Sequence, residues 1–132
     1  MKRATARKRS ITNPELVMTA FRKTDKPLTA YEILDKLRPQ GVSAPPTVYR
    51  ALDRLIEDGR VHRLDSLNAF VACAHPHHGA SAMFSICDSC GAVEEFSDPA
   101  LGKRLGQWAK STGFKIDRSV IEVRGLCGDC QA

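Results

Sequence analysis

No apolar run in this sequence approaches the length needed to cross a bilayer. The opening residues Met1-Lys2-Arg3-Ala4-Thr5-Ala6-Arg7-Lys8-Arg9 are charged with no apolar segment behind them, so they are not read as a signal peptide. No internal repeat or low-complexity tract is present. The H-x-E and P-C-x-x-C pair that marks zinc deaminases is missing as well. These absences weigh against export, membrane insertion and that class of enzyme. They favour a cytoplasmic protein, in a compartment where thiols stay reduced.

Cysteine, by contrast, is present in a telling arrangement. Cys87-Asp88-Ser89-Cys90 and Cys127-Gly128-Asp129-Cys130 form two CxxC pairs, separated by residues 91–126. Two residues between thiolates let both sulfurs face one ion, and two such pairs supply the four ligands of a closed tetrahedral zinc site. Gly91 and Gly128 suit backbone that must turn tightly around a metal. Two disulfides or a redox pair compete with this reading, and a reducing compartment disfavours disulfides. Such a metal would join segments distant in sequence. A fifth cysteine, Cys73, is left over.

The chain has 132 residues, of which 42% are hydrophobic, enough for one medium domain or two small ones. Two half-length units would each be marginal alone, which a metal staple or dimerisation would relieve. The net charge of +5 is uneven: residues 1–65 hold 14 Lys/Arg against 8 Asp/Glu, and residues 66–132 hold 6 against 7. A basic first half points towards a polyanion such as nucleic acid. Lys2, Arg3, Arg7, Lys8 and Arg9 carry most of that excess, however, and a basic arm is often only solvated.

Three helices are expected in the first half. Asn13 reads as a cap with Pro14 and Glu15 in the first turn, followed by Leu16, Val17, Ala20 and Phe21 on one face. Thr29-Ala30-Tyr31-Glu32 fits a capping box ahead of Ile33, Leu34 and Leu37. A third start lies at Ser43-Ala44-Pro45-Pro46, and Val48, Ala51, Leu52, Leu55 and Ile56 then form a clean apolar stripe. The opposite face carries Arg50, Asp53, Arg54 and Glu57, flanked by Thr47 and Tyr49. This suits the recognition helix of a helix-turn-helix unit, in which an arginine near the N-terminal end reaches guanine. An ordinary solvated face in a helical bundle fits the periodicity too. After Gly59, two extended runs, Arg60–Leu64 and Ala69–Cys73, flank a turn and read as a hairpin. Three helices and a hairpin describe a winged helix, which favours DNA.

A histidine-rich linker, residues 74–80, leads to the second half. There Ala82–Ile86 and Gly91–Phe96 read as paired strands around the first knuckle. Asp98-Pro99 opens a helix with Leu101, Leu105, Trp108, Ala109 and Thr112 on one face. Phe114–Ile116 and Val120–Val123 are β-rich, the latter running into the second knuckle. The expected class is α+β: residues 1–74 a basic arm and winged helix, 75–81 a hinge, and 82–132 a small zinc-stapled α/β unit.

A second ligand cluster falls at the hinge. Cys73, His75, His77 and His78 lie within six residues, His62 is on the opposing strand, and Glu94 or Glu95 could close the set from the other half. Imidazole, thiolate and carboxylate together suit zinc, and the thiolate biases the site away from harder ions.

Pro45-Pro46-Thr47-Val48-Tyr49-Arg50-Ala51-Leu52 resembles the recognition helix of the ferric uptake regulator family. The order of wing, histidine-rich hinge, CxxCG, helix, strand and CxxC resembles that family too, over about residues 11–130. Within it the chain is similar to the zinc uptake regulator branch, through Arg60-Val61-His62-Arg63, Cys73, Ser81-Ala82-Met83-Phe84 and Ile121-Glu122 before Gly125-Leu126-Cys127. The resemblance implies a non-enzymatic, zinc-responsive repressor that binds a palindromic operator as a homodimer through its winged helices, dimerises through its C-terminal domain and controls zinc uptake genes. It implies two Zn²⁺ per chain: a structural one at Cys87, Cys90, Cys127 and Cys130, and a regulatory one at His62, Cys73, His78 and Glu95, with His77 or His75 as substitutes for His78. Tyr49 and Arg50 match the family's DNA-contacting pair, with Thr47 and Arg54 beside them. Alternatives are an iron, manganese or peroxide sensor of the same family, a constitutive zinc-stapled DNA-binding module, and a zinc hydrolase. Three positions depart from the family pattern: Glu15 stands where arginine is expected, Arg118 replaces a frequent histidine, and Ser85 lengthens the approach to the first knuckle.

Overall fold

The computed structural model describes residues 11–73 and 81–131; the basic arm and the hinge, with His75, His77 and His78, lie outside the described residues. Helix α1 spans Asn13–Phe21, α2 Ala30–Leu37 and α3 Pro45–Glu57. Asn13 is not the cap of α1. Thr12 is: its hydroxyl accepts from the Glu15 backbone N–H while the Glu15 carboxylate accepts from the Thr12 backbone N–H, a closed capping box. Glu15, unexpected where arginine was anticipated, therefore has a local role. Thr29 and Glu32 cap α2 in the same way. Helix α3 has no side-chain cap and relies on prolines in its first turn, where no intrahelical N–H is lost. It ends at Gly59, whose φ of +72° is unfavourable for any residue with a Cβ.

The apolar stripes meet as expected. Val17, Ala20 and Phe21 of α1, Ile33, Leu34 and Leu37 of α2, and Val48, Ala51, Leu52 and Leu55 of α3 form one buried cluster, closed by Val61 and Phe70 from the following hairpin. That hairpin joins β1 (Val61–Leu64) to β2 (Ala69–Ala72) through a 3-10 turn, Asp65–Leu67, with Asn68 in the left-handed region at φ +47°. Leu28 pairs with Phe70 by two backbone hydrogen bonds of 2.9 and 2.8 Å, fastening the loop before α2 to the hairpin. Three helices and this wing make a winged helix-turn-helix unit.

The second unit is a three-stranded sheet in the order β4-β3-β5, with β3 at Ser81–Cys87, β4 at Val93–Phe96 and β5 at Ser119–Gly125. Strands β3 and β4 are antiparallel around the first knuckle, and β5 runs parallel to β3 after a crossover through α4 (Pro99–Thr112). Pairing continues unbroken through Ser85, which faces Glu94 on one side and Val123 on the other. Phe114–Ile116, expected as β-rich, is not a strand here. The Phe114 N–H donates to the Ala109 carbonyl (2.8 Å) and its ring packs 5.5 Å from Trp108, so it closes the C-terminus of α4 beyond Gly113. The apolar face of α4 exists, but within the chain only Ala109 is buried, while Leu101 and Trp108 are about half exposed.

The wing packs on this sheet. Leu64, Ala82 and Phe84 form a second buried cluster, flanked by Leu67, Val71 and Val93. Because Leu55 is wholly buried among three helices, Leu55→Ala should destabilise the fold by about 2–5 kcal/mol, whereas Glu15→Ala should cost about 1 kcal/mol through the lost box. Urea unfolding of both variants measures the difference.

Candidate metal centres and nucleic-acid face

The first knuckle sits at the turn between β3 and β4, and the second follows β5. Parallel pairing of β3 with β5, in register to Cys87 and Gly125, brings the two together. The ligand atoms of Cys87, Cys90, Cys127 and Cys130 all lie within 4.8 Å of one another, with Cys90 and Cys127 Sγ 3.8 Å apart. Thiolates at the usual zinc–sulfur distance of a tetrahedral site lie about 3.8 Å apart. All four are free thiols rather than disulfides. Asp88 anchors the knuckle from inside: its backbone N–H donates to the Gly125 carbonyl (2.8 Å), and its carboxylate accepts two hydrogen bonds from Arg124, at 2.9 and 2.7 Å. Nothing in the cysteine spacing pointed to that ion pair.

Three of the sulfurs, those of Cys87, Cys90 and Cys130, differ in acidity. Cys87 is buried and accepts backbone N–H bonds from Cys127 (3.4 Å) and Cys90 (3.5 Å), which lower its pKa to about 6. At Cys90 the Ala92 N–H favours the thiolate, but hydrogen bonding with the thiols of Cys87 and Cys127 leaves the net shift upward. Cys130 is pushed up to about 12, chiefly by Cys127. The Cys87 thiolate therefore preforms, and a divalent cation would be needed to hold Cys90 and Cys130 deprotonated beside it.

The second cluster is built across the two units. His62 on β1 faces Val71 on β2, and Cys73 follows β2 directly, its N–H held by the Arg60 carbonyl at 2.8 Å. Glu95 comes from β4. His62, Cys73 and Glu95 place one ligand atom each within 4.8 Å of the others, and Cys73 Sγ lies 3.5 Å from Glu95 Oε1. All three are half-buried, and the His62 ring lies 5.5 Å from Phe84. The choice between Glu94 and Glu95 follows from strand alternation. Glu94 points to the opposite face, where it lines a groove of about 400 Å³ beside the knuckles.

Tyr49 and Arg50 are exposed on α3. Thr47, Arg50 and Ala51 frame a groove of about 230 Å³ with Asn13 and Pro14 of α1. Arg54 lies a turn further on, within 3.7 Å of Asp58. Arg118 is exposed just before β5. No helix among the described residues is long and apolar enough to cross a membrane.

Fold and clusters together define a winged-helix protein whose wing and sheet converge on side chains able to hold a metal ion. The chain belongs to the Ferric uptake regulator family, whose model matches residues 7–124. It is 46% identical over 110 residues to the zinc uptake regulation protein of Escherichia coli (strain K12), an alignment covering 80% of this chain and 63% of that protein. The chain thus spans less than two thirds of that relative's length. It is 33% identical over 117 residues to the ferric uptake regulation protein of Bordetella parapertussis, covering 87% of this chain and 84% of that protein. Among solved structures, holo XcZur is 44% identical with a TM-score of 0.79, covering 89% of this chain and 83% of that one. A zinc uptake regulator complexed with zinc and DNA is 38% identical with a TM-score of 0.80, covering 89% and 80%.

Metal uptake by the four-cysteine site at pH 7.5 should release at least the protons of Cys90 and Cys130, and affinity should fall more steeply below about pH 6, where Cys87 also protonates. Calorimetric titration with zinc in buffers of different ionisation enthalpy counts those protons.

Proposed function

We propose that this protein is a zinc-responsive transcriptional repressor that binds operator DNA as a zinc-loaded homodimer and controls zinc uptake genes. The observation that carries this reading is the convergence of His62 and Cys73 from the wing with Glu95 from the sheet. Such a cluster binds an ion tightly only when the wing is seated on the sheet, so occupancy and wing position are linked. A thiolate, an imidazole and a carboxylate suit zinc and disfavour manganese. His78 from the hinge would complete the set, with His77 or His75 in its place if geometry requires.

Each chain would hold two Zn²⁺. The four cysteines would staple the C-terminal unit, and a closed four-thiolate site has no reason to release its ion on a signal. The hinge cluster would do the sensing. Residues 1–74 would form the DNA-reading unit, 75–81 the hinge and 82–132 the dimerising unit. The half-exposed Leu101 and Trp108, with Phe114 and Val123, offer apolar surface for a second copy. Tyr49 and Arg50 would reach bases in the major groove, flanked by Thr47 and Arg54, while the basic arm would add salt-sensitive phosphate contacts. Its place of action is the cytoplasm, and its role is regulation rather than catalysis.

Two half-sites about one helical turn apart would be matched only when both wings are held at one separation. Shifting from mostly open to mostly seated requires about a 10⁴-fold preference for the seated state, and DNA and zinc must then strengthen each other's binding equally. Cys73→Ser should abolish zinc-dependent operator binding while leaving a folded dimer that retains one zinc per chain. Gel-shift titration against free Zn²⁺, Fe²⁺ and Mn²⁺, paired with a metal count, tests this. A Cys73→Ser protein that still responds to zinc would overturn the assignment.

A further inference from the structure

In the sheet, Phe84 of β3 lies opposite Glu95 of β4 on one side and Glu122 of β5 on the other. In-register partners project to the same face, so Glu95, Phe84 and Glu122 form one row across the sheet beneath the wing. The row is used at three points. Glu95 lies against Cys73 at the base of the wing, Phe84 packs in the cluster with Leu64, and Glu122 accepts two hydrogen bonds from the turn at the wing's tip. Those bonds come from the Ser66 backbone N–H (3.3 Å) and the Ser66 hydroxyl (2.5 Å), both to Glu122 Oε1. Neighbouring strands lie about 4.8 Å apart, so the two carboxylates stand roughly 10 Å from one another.

One attachment at the base of a two-stranded hairpin fixes a point and leaves the hairpin free to swing about it. A second attachment two strands away removes that freedom. The apolar contact at Phe84 lies between the two and resists separation, but it is non-directional and does not set an angle. A carboxylate accepting from both an N–H and an O–H does set one.

We infer that Glu122 is a positioning residue: its hydrogen bonds to Ser66 form a metal-independent second anchor that fixes the orientation of the wing on the sheet, so that ion binding at the base is converted into a defined placement of α3. The inference deepens the function proposed above and rests on it for its effect on DNA. The anchor itself is read without DNA.

The test compares full-length, zinc-loaded Glu122→Ala, Ser66→Ala, the double variant and Glu122→Gln with the unaltered protein. Amide hydrogen exchange across residues 64–69 should quicken about fivefold in Glu122→Ala, with the metal count per chain unchanged. Ser66→Ala should act in the same direction, and the double variant should add nothing beyond Glu122→Ala, as expected of two partners in one interaction. Glu122→Gln, which keeps an acceptor oxygen, should return exchange to within about twofold of the unaltered protein. The free zinc needed for half-maximal operator binding should rise by a similar factor in Glu122→Ala. Unchanged exchange in Glu122→Ala, additive single effects, or Glu122→Gln behaving like Glu122→Ala would overturn the anchor. An unaltered protein whose DNA binding ignores zinc would instead overturn the proposed function, with the exchange result still standing.

Discussion

The seating of the wing on the C-terminal sheet is the contact on which the rest of the structure depends. It joins two units whose cores are otherwise separate, the three-helix cluster around Leu55 and the small cluster around Phe84. The wing belongs to both. Val61 and Phe70 close the helical core, while Leu64 and Val71 turn towards the sheet. A four-residue strand with alternate residues committed to different cores cannot shift register without emptying one of them. The hairpin is therefore a stiff link between the helix that faces outward with Tyr49 and Arg50 and the sheet that carries Glu95.

The two candidate ligand clusters differ in the way the roles proposed for them require. The four cysteines sit within one unit, between strands of a single sheet, and their backbone N–H bonds prepare Cys87 before any ion arrives. The His62, Cys73 and Glu95 set is divided between units and half-buried. A cluster internal to a rigid element suits permanence. A cluster split across a seam suits a response, because its assembly changes the relation of the parts. The apolar surface on α4 gives the second unit a reason to pair, and pairing would set two wings in a fixed relation.

Much of this was legible in the sequence because the signals are local. Helical stripes in α1, α2 and α3 fell on buried faces, and the β-rich runs on either side of the first knuckle predicted β3 and β4. The convergence of His62 with Cys73 followed from hairpin pairing alone, and Glu95 was separated from Glu94 only by its match to the family pattern. What stayed hidden depends on through-space partners. Thr12 displaced Asn13 as the cap because the reciprocal bond with Glu15 satisfies two backbone groups at once. Phe114–Ile116 carries β-formers, yet the closure of α4 at Gly113 takes up the Phe114 N–H. The Arg124–Asp88 pair and the Ser66–Glu122 bonds link residues far apart in sequence, and no periodicity encodes such meetings.

The parallel pairing of β3 and β5 has a temporal consequence. The first knuckle completes itself within a hairpin, whereas in the native fold the second is brought to it by the crossover through α4 and the docking of β5 alongside β3. Such a non-local pairing is among the slower steps available to a small unit. Until then the chain offers two thiols with partial affinity, and afterwards it offers four. With an ion held there as proposed, its tight capture would be a late event that registers correct assembly, and a chain whose fifth strand failed to dock would be left with a loosely held metal and an open sheet edge.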